Sequence, residues 1–248
     1  MDRVEAVLRY VDEIPSDVYA ASGMVRIGPE RRVAGRAFFP VGRGYAPDVA
    51  FPLGGVMLLG QDFGNEQNLD DVVAAGEETD DVPTWREIGK ALCEEAIPTE
   101  ACWFTNYVMG VRRGRASNCK GRSPGLRNGA LRRACAELFV HQLRAQRPCA
   151  LVVFGTYLPS VLAADFPAVF PLWKGTSFAL RDADDAAVVR GATMGDVTVP
   201  IVVSILHPSL RGPNLMHRRF DGCGGAEAER ALWALVRGVV RERWMAAT

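Results

Sequence analysis

A carboxylate and an imidazole each stand just beyond an apolar run of this chain. Asp62 follows the run in VMLLGQDFGN (56–65), and His207 follows the run in IVVSILHPSLR (201–211). Gln61 adds an amide beside the first and Ser209 a hydroxyl beside the second. A carboxylate steadies a developing cation or orients a water, and an imidazole donates to a group gathering negative charge; together they suffice for acid–base or electrostatic catalysis. Buried strands of a parallel sheet read as unbroken apolar runs, and ligands bind beyond their carboxyl ends. The two motifs are therefore expected to line one crevice.

Positioning them takes a sheet. Short apolar runs predict strands over 55–59, 101–105, 150–154 and 200–206. Helical periodicity predicts helices over 3–14, 85–95 (with Thr84 as cap), 128–145, 158–164 and 226–245. The stretch 25–52, rich in Gly and Pro, reads as irregular with a short strand near 37–39, and 173–199 reads as an excursion or hairpin turning at Gly195-Asp196. With no repeat or linker, the expectation is α/β: a single-domain, three-layer α/β/α sandwich around a central, mainly parallel four-stranded sheet.

The composition narrows the setting. With 248 residues, 48% of them hydrophobic, the chain can bury an ample core without metal or disulfide staples. No run approaches the roughly 20 apolar residues of a bilayer span, and the charged amphipathic start MDRVEAVLRYVDEI is unlike a signal peptide. A cytoplasmic protein is expected. Six cysteines without a C-x-x-C pair suit a reducing compartment and argue against a zinc ribbon. Lys and Arg balance Asp and Glu at 29 each, yet 66–100 is acidic while 112–147 carries ten Lys and Arg against Glu137 alone. A basic stripe interleaved with Gly, Ser and Asn suits phosphates, with Arg112, Arg113 and Arg115 as first candidates; the alternative is a solvated helix-and-loop surface. His141 and His217 are given no catalytic role. The chain lacks G-x-x-x-x-G-K-[ST], a G-x-S-x-G elbow, and H-x-E with P-C-x-x-C, which removes the P-loop, α/β-hydrolase and zinc-deaminase classes.

Side by side, the strand ends read Gly60-Gln61-Asp62-Phe63-Gly64-Asn65, Thr105-Asn106-Tyr107, Gly155-Thr156-Tyr157 and His207-Pro208-Ser209-Leu210-Arg211. This ordered set, over roughly 54–211, resembles the uracil-DNA glycosylase superfamily. The resemblance implies hydrolysis of the N-glycosidic bond of uracil or a related deaminated base in DNA, as in base-excision repair, with DNA as partner, no metal or other cofactor, no membrane and a monomeric chain. It further implies that Asp62 positions water and stabilises the cationic sugar, and that His207 donates to a base carbonyl. Gln61 would contact base or sugar, and Asn106 would read the base edge. Trp85 or Phe63 would be the stacking platform, Ser209 would hold a flanking phosphate, and Leu210 or Arg211 would wedge into the vacated stack. Two departures matter. The best-known branch reads G-Q-D-P-Y-H where this chain has G-Q-D-F-G-N, so Gly64 stands where a Tyr excludes thymine. The iron–sulfur branch carries cysteines near its N-terminus, whereas the first here is Cys93. The chain is therefore expected to be a divergent member outside both branches, with the base left open. The alternatives are a glycosylase-fold protein that binds damaged DNA or a free base without turnover, and an enzyme acting on small N-glycosides.

Overall fold

Four of the apolar runs become the parallel strands of one sheet. The computed structural model describes residues 3–33, 36–39, 50–78, 82–114, 119, 121–175, 177–183 and 185–246. In chain order its elements are α1 (Arg3–Glu13), α2 (Ser16–Ala20), β1 (Met24–Arg26), β2 (Val56–Gly60), α3 (Glu66–Ala75), α4 (Pro83–Glu94), β3 (Cys102–Asn106), β4 (Gly110–Arg112), α5 (Gly129–Gln146), β5 (Ala150–Phe154), α6 (Tyr157–Asp165), α7 (Phe178–Ala183), β6 (Val188–Met194), β7 (Val197–Ile205), α8 (Arg211–Asn214), β8 (Arg219–Phe220), β9 (Cys223–Gly224) and α9 (Gly225–Arg243). The central sheet has the order β3-β2-β5-β7-β6. Its first four strands are parallel, and β6 runs antiparallel to β7.

The sheet thus has five strands, not the four expected. Gly195, at a φ of 62°, lets the chain reverse at Gly195-Asp196, so the anticipated hairpin forms as β6–β7 and β7 begins at Val197 instead of residue 200. β6 escaped the sequence reading because it is an edge strand whose middle, Arg190-Gly191, is exposed, so no apolar run marks it. Residues 37–39, expected as a short strand, are a bend. A helix not anticipated, α3, starts where the Asn65 side chain accepts from Asn68 N at 2.9 Å, an ordinary N-cap. The small pairs β1–β4 and β8–β9 lie apart from the main sheet.

Strand residues alternate between two cores, which explains why each run is apolar throughout. Met57, Leu59, Trp103, Leu151 and Val153 face a core closed by α1, α5 and α6. Val56, Leu58, Phe104, Val152 and Val203 face a second core closed by α4 and α9 through Trp85, Ile88, Leu92, Leu232, Trp233 and Val236. Each such large side chain contributes about 1.5–3 kcal/mol by leaving water. The register matters most for function: Gly60 lies opposite Asn106, Leu59 opposite Val153, and Phe154 opposite Ile205. The four carboxyl ends are level, so the segments that follow them share one edge. Among the described residues, no helix is long and apolar enough to cross a membrane.

Candidate active site

A cleft of about 560 Å³ opens along that edge, and Gln61, Asp62, Asn106 and His207 all line it, one strand end after another. Two glycines permit the close approach. A Cβ on Gly60 would stand 2.3 Å from Asn106 Oδ1, so only glycine lets the Asn106 carboxamide lie across β2. Gly155, at a φ of 83°, would place a Cβ 3.6 Å from that of His207, so the turn after β5 packs directly behind the imidazole. Asn106 is buried, and its Nδ2 donates to the Phe38 carbonyl at 2.8 Å. One of its donors therefore fixes the side chain, leaving the other N–H and Oδ1 for recognition.

The charges are arranged around Asp62. Its Oδ2 accepts from Arg112 Nε at 2.8 Å and its Oδ1 from the Gly64 amide at 3.3 Å. β4 brings the arginine there: Arg112 N donates to Gly64 O at 2.7 Å, and Phe63 N to Gly110 O at 3.4 Å. Arg112 Nη2 and Gln61 Nε2 both donate to Gly121 O, at 3.0 and 3.1 Å, which ties the start of the basic segment to the cleft rim. The sequence placed Arg112 among the phosphate contacts; it is instead the counter-ion of the site carboxylate. Nothing in either motif signals that pairing, because it depends on the β1–β4 pair folding back past residue 64.

His207 is held by its own loop. Ser209 Oγ lies 2.9 Å from Nδ1; with the hydroxyl donating, the proton of the neutral ring resides on Nε2, which becomes a donor. Burial pushes the His207 pKa below its ordinary value, and the negative charge of Asp62 pulls in the opposite sense. Ser209 is thus bonded to the imidazole as well as exposed at the rim, where a flanking phosphate was expected.

The other anticipated residues divide. Trp85 is fully buried in the second core, 4.8 Å from Phe104 and 5.2 Å from Phe38 by ring centroid, and it does not line the cleft. The stacking role is corrected accordingly: an indole with no exposed surface, packed between Phe38 and Phe104, offers no face to a base. Phe63 does line the cleft but is 7% exposed and belongs to the first core, so it is a wall, not a free platform. Phe38, Phe154, Tyr157 and Phe178 also line it; Tyr157 closes the third strand-end set but was given no role, and the three phenylalanines lie outside the motifs. Leu210 stands at the mouth, 48% exposed, whereas Arg211 pairs with Glu87 of α4 at 3.5 Å. Arg113 is exposed, and Arg115 lies outside the described residues. Further along the basic segment, Arg132 pairs with Asp165 at 3.0 Å and Arg144 with Asp196 at 2.6 Å.

One cleft therefore joins a carboxylate, a neutral imidazole, a fixed carboxamide and aromatic walls. A planar heterocycle fits such walls, the amide matches a donor–acceptor edge, and the charged pair suits a bond that breaks toward a cation on one side and an anion on the other. Among the described residues, no group of three or more His, Cys, Asp or Glu is placed to hold a metal ion. Compared with known proteins, the chain matches no family model and no curated sequence.

Proposed function

We propose that this chain is a DNA glycosylase, a divergent member of the uracil-DNA glycosylase superfamily, hydrolysing the N-glycosidic bond of uracil or a related deaminated base in cytoplasmic base-excision repair. The observation that carries the reading is the convergence of Asp62, Asn106 and His207 on one cleft at the level carboxyl ends of β2, β3 and the strand before His207. The α/β/α layering of that superfamily is part of the proposal, and helices against both faces of the sheet support it.

In the reaction, the C1′–N bond breaks and its electron pair leaves with the base. The His207 N–H donates to the base oxygen that gathers this charge, while the Asp62 carboxylate faces the cationic sugar. The oxygen of a water then bonds to C1′, and Asp62 takes the proton that the water releases. One well-placed donor of this kind is worth about 10²–10³ in rate. Leu210, exposed beside His207, fits the wedge that fills the vacated stack.

Oligonucleotides containing uracil, hypoxanthine or xanthine test the reading: alkali-labile abasic sites are expected on at least one of them. No excess over an Asp62→Ala control on any substrate would sink it. The Asp62–Arg112 ion pair favours a second reading, a protein that binds such bases without turnover, because a carboxylate held by a guanidinium is a weaker partner for water. Tight binding without product, unaltered by Asp62→Ala, is the result that selects it.

A further inference from the structure

Among the described residues, the cleft is lined by a second carboxyl that the proposed reaction leaves unused, Glu78. Its backbone is locked to the 36–39 segment: Glu78 N donates to Arg36 O at 2.7 Å, and Arg36 Nε donates to Glu78 O at 2.8 Å. The same short segment supplies Phe38, whose carbonyl holds Asn106, so Glu78 and the amide reader are built on one support. The Trp85 indole N–H donates to Glu78 Oε2, and among the described residues nothing is bonded to Oε1. One carboxyl oxygen is therefore anchored and the other left beside the cleft.

We propose that Glu78 reads the edge of the bound base, donating as a carboxylic acid to a carbonyl oxygen and accepting as a carboxylate from an amino group. This rests on the base-pocket reading of the cleft. The ligand class follows from the two forms: oxo-bearing bases such as uracil take the acid, and amino-bearing bases such as cytosine take the carboxylate. Burial pushes the Glu78 pKa up to about 7, against the Trp85 hydrogen bond and the Arg36 charge, which act downward. Both forms are consequently present near neutral pH.

Among the described residues, two charged groups stand near Glu78. Arg36 stands with its guanidinium 5.8 Å from the Trp85 ring centre, and Glu77 is drawn to Arg36 at 3.9 Å. From α4 comes the uncharged indole. Elsewhere in the lining, Asp62 is paired with Arg112, burial lowers His207, and burial raises the Cys119 thiol. Glu78 is thus the described lining group whose pKa is raised into the interval between about pH 6 and 8, while burial moves the His207 pKa downward.

The test is calorimetric binding of free uracil and free cytosine to the full chain at about pH 6 and about pH 8. For a donor with a pKa near 7, uracil affinity falls about tenfold across that interval while cytosine affinity rises. Glu78→Gln keeps an uncharged donor at both pH values, so its uracil affinity stays flat. A variant that binds uracil with the wild-type pH slope overturns the role of Glu78 and leaves the base pocket standing. No binding of either base at either pH overturns the base pocket itself. A second measurement avoids the variant: the carboxyl carbon resonance of Glu78 should titrate at higher pH with uracil bound, and an unmoved midpoint refutes the contact.

Discussion

Asp62 and His207 act on each other through charge. Burial favours the neutral imidazole, and the Asp62 carboxylate partly offsets this. Asp62→Asn should therefore lower the His207 pKa further while removing activity by a factor of about 10² or more; the imidazole Cε1–H resonance followed through a pH titration reads the first effect directly. An upward shift, or none, would mean that the two side chains do not share a field. The sign for stability is the same: a depressed folded-state pKa leaves stability intact above the unfolded value near 6.5 and erodes it as pH falls toward the folded one. Urea midpoints should accordingly drop between about pH 7 and pH 5 more in the wild type than in His207→Gln. At this scale much was legible. Asp62, Asn106 and His207 could be found because each follows an apolar run, and chemistry at strand ends needs no knowledge of tertiary contacts. Arg112 could not, since its charge looks like any other in a basic run until β4 brings it against residue 64. Trp85 misled for the converse reason, because an indole near a motif looks the same in sequence whether it faces a ligand or a core.

The loop that carries His207 is clamped from behind by other elements. Glu229 of α9 accepts from Leu206 N at 3.2 Å, and Arg218 donates to Ser204 O at 3.1 Å. Arg218 forms ion pairs with Glu229 at 3.1 Å and with Asp182 of α7 at 3.4 Å, all three side chains being fully buried. Phe178, which lines the cleft, has the guanidinium carbons of Arg181 and Arg218 within 4.6 and 4.7 Å of its ring centre. Removing one partner of such a buried pair strands the other charge, so Glu229→Ala should cost about 3–5 kcal/mol in urea unfolding. A loss below about 1 kcal/mol would show that the network is not under load. The sequence concealed this cluster because its members come from α7, α9 and the turn before β8 and none falls in a recognisable spacing. The parallel strands were legible, by contrast, since burial on both faces writes an unbroken apolar run, and the β6 edge was not, since one exposed side breaks that signal.

Seen whole, the basic segment is split by geometry. β7 has nine residues and so spans about 30 Å, which puts the Gly195-Asp196 turn at the far end of the sheet from His207. Arg144, paired with Asp196, lies at that far end, while Arg112 and Cys119 line the cleft. The stripe that looks continuous in sequence thus runs from the cleft to the opposite edge along α5, and only its first part can follow a nucleic acid entering the cleft. Arg113→Ala should lower the salt slope of DNA binding by about 1, and Arg144→Ala should leave it unchanged. Equal effects of both would place the phosphate track elsewhere. The outer strand carries a last consequence. Across the β6–β7 register, Gly191, at a φ of 63°, falls opposite Pro200, between the pairs Arg190–Ile201 and Ala192–Val199. On the outer side of β6, a left-handed glycine beside the exposed Arg190 interrupts the row of free donors and acceptors that another chain would need as a template. With β3 at the other margin wholly buried, neither margin of this α/β sheet offers a continuous template for strand addition, whatever occupies the cleft.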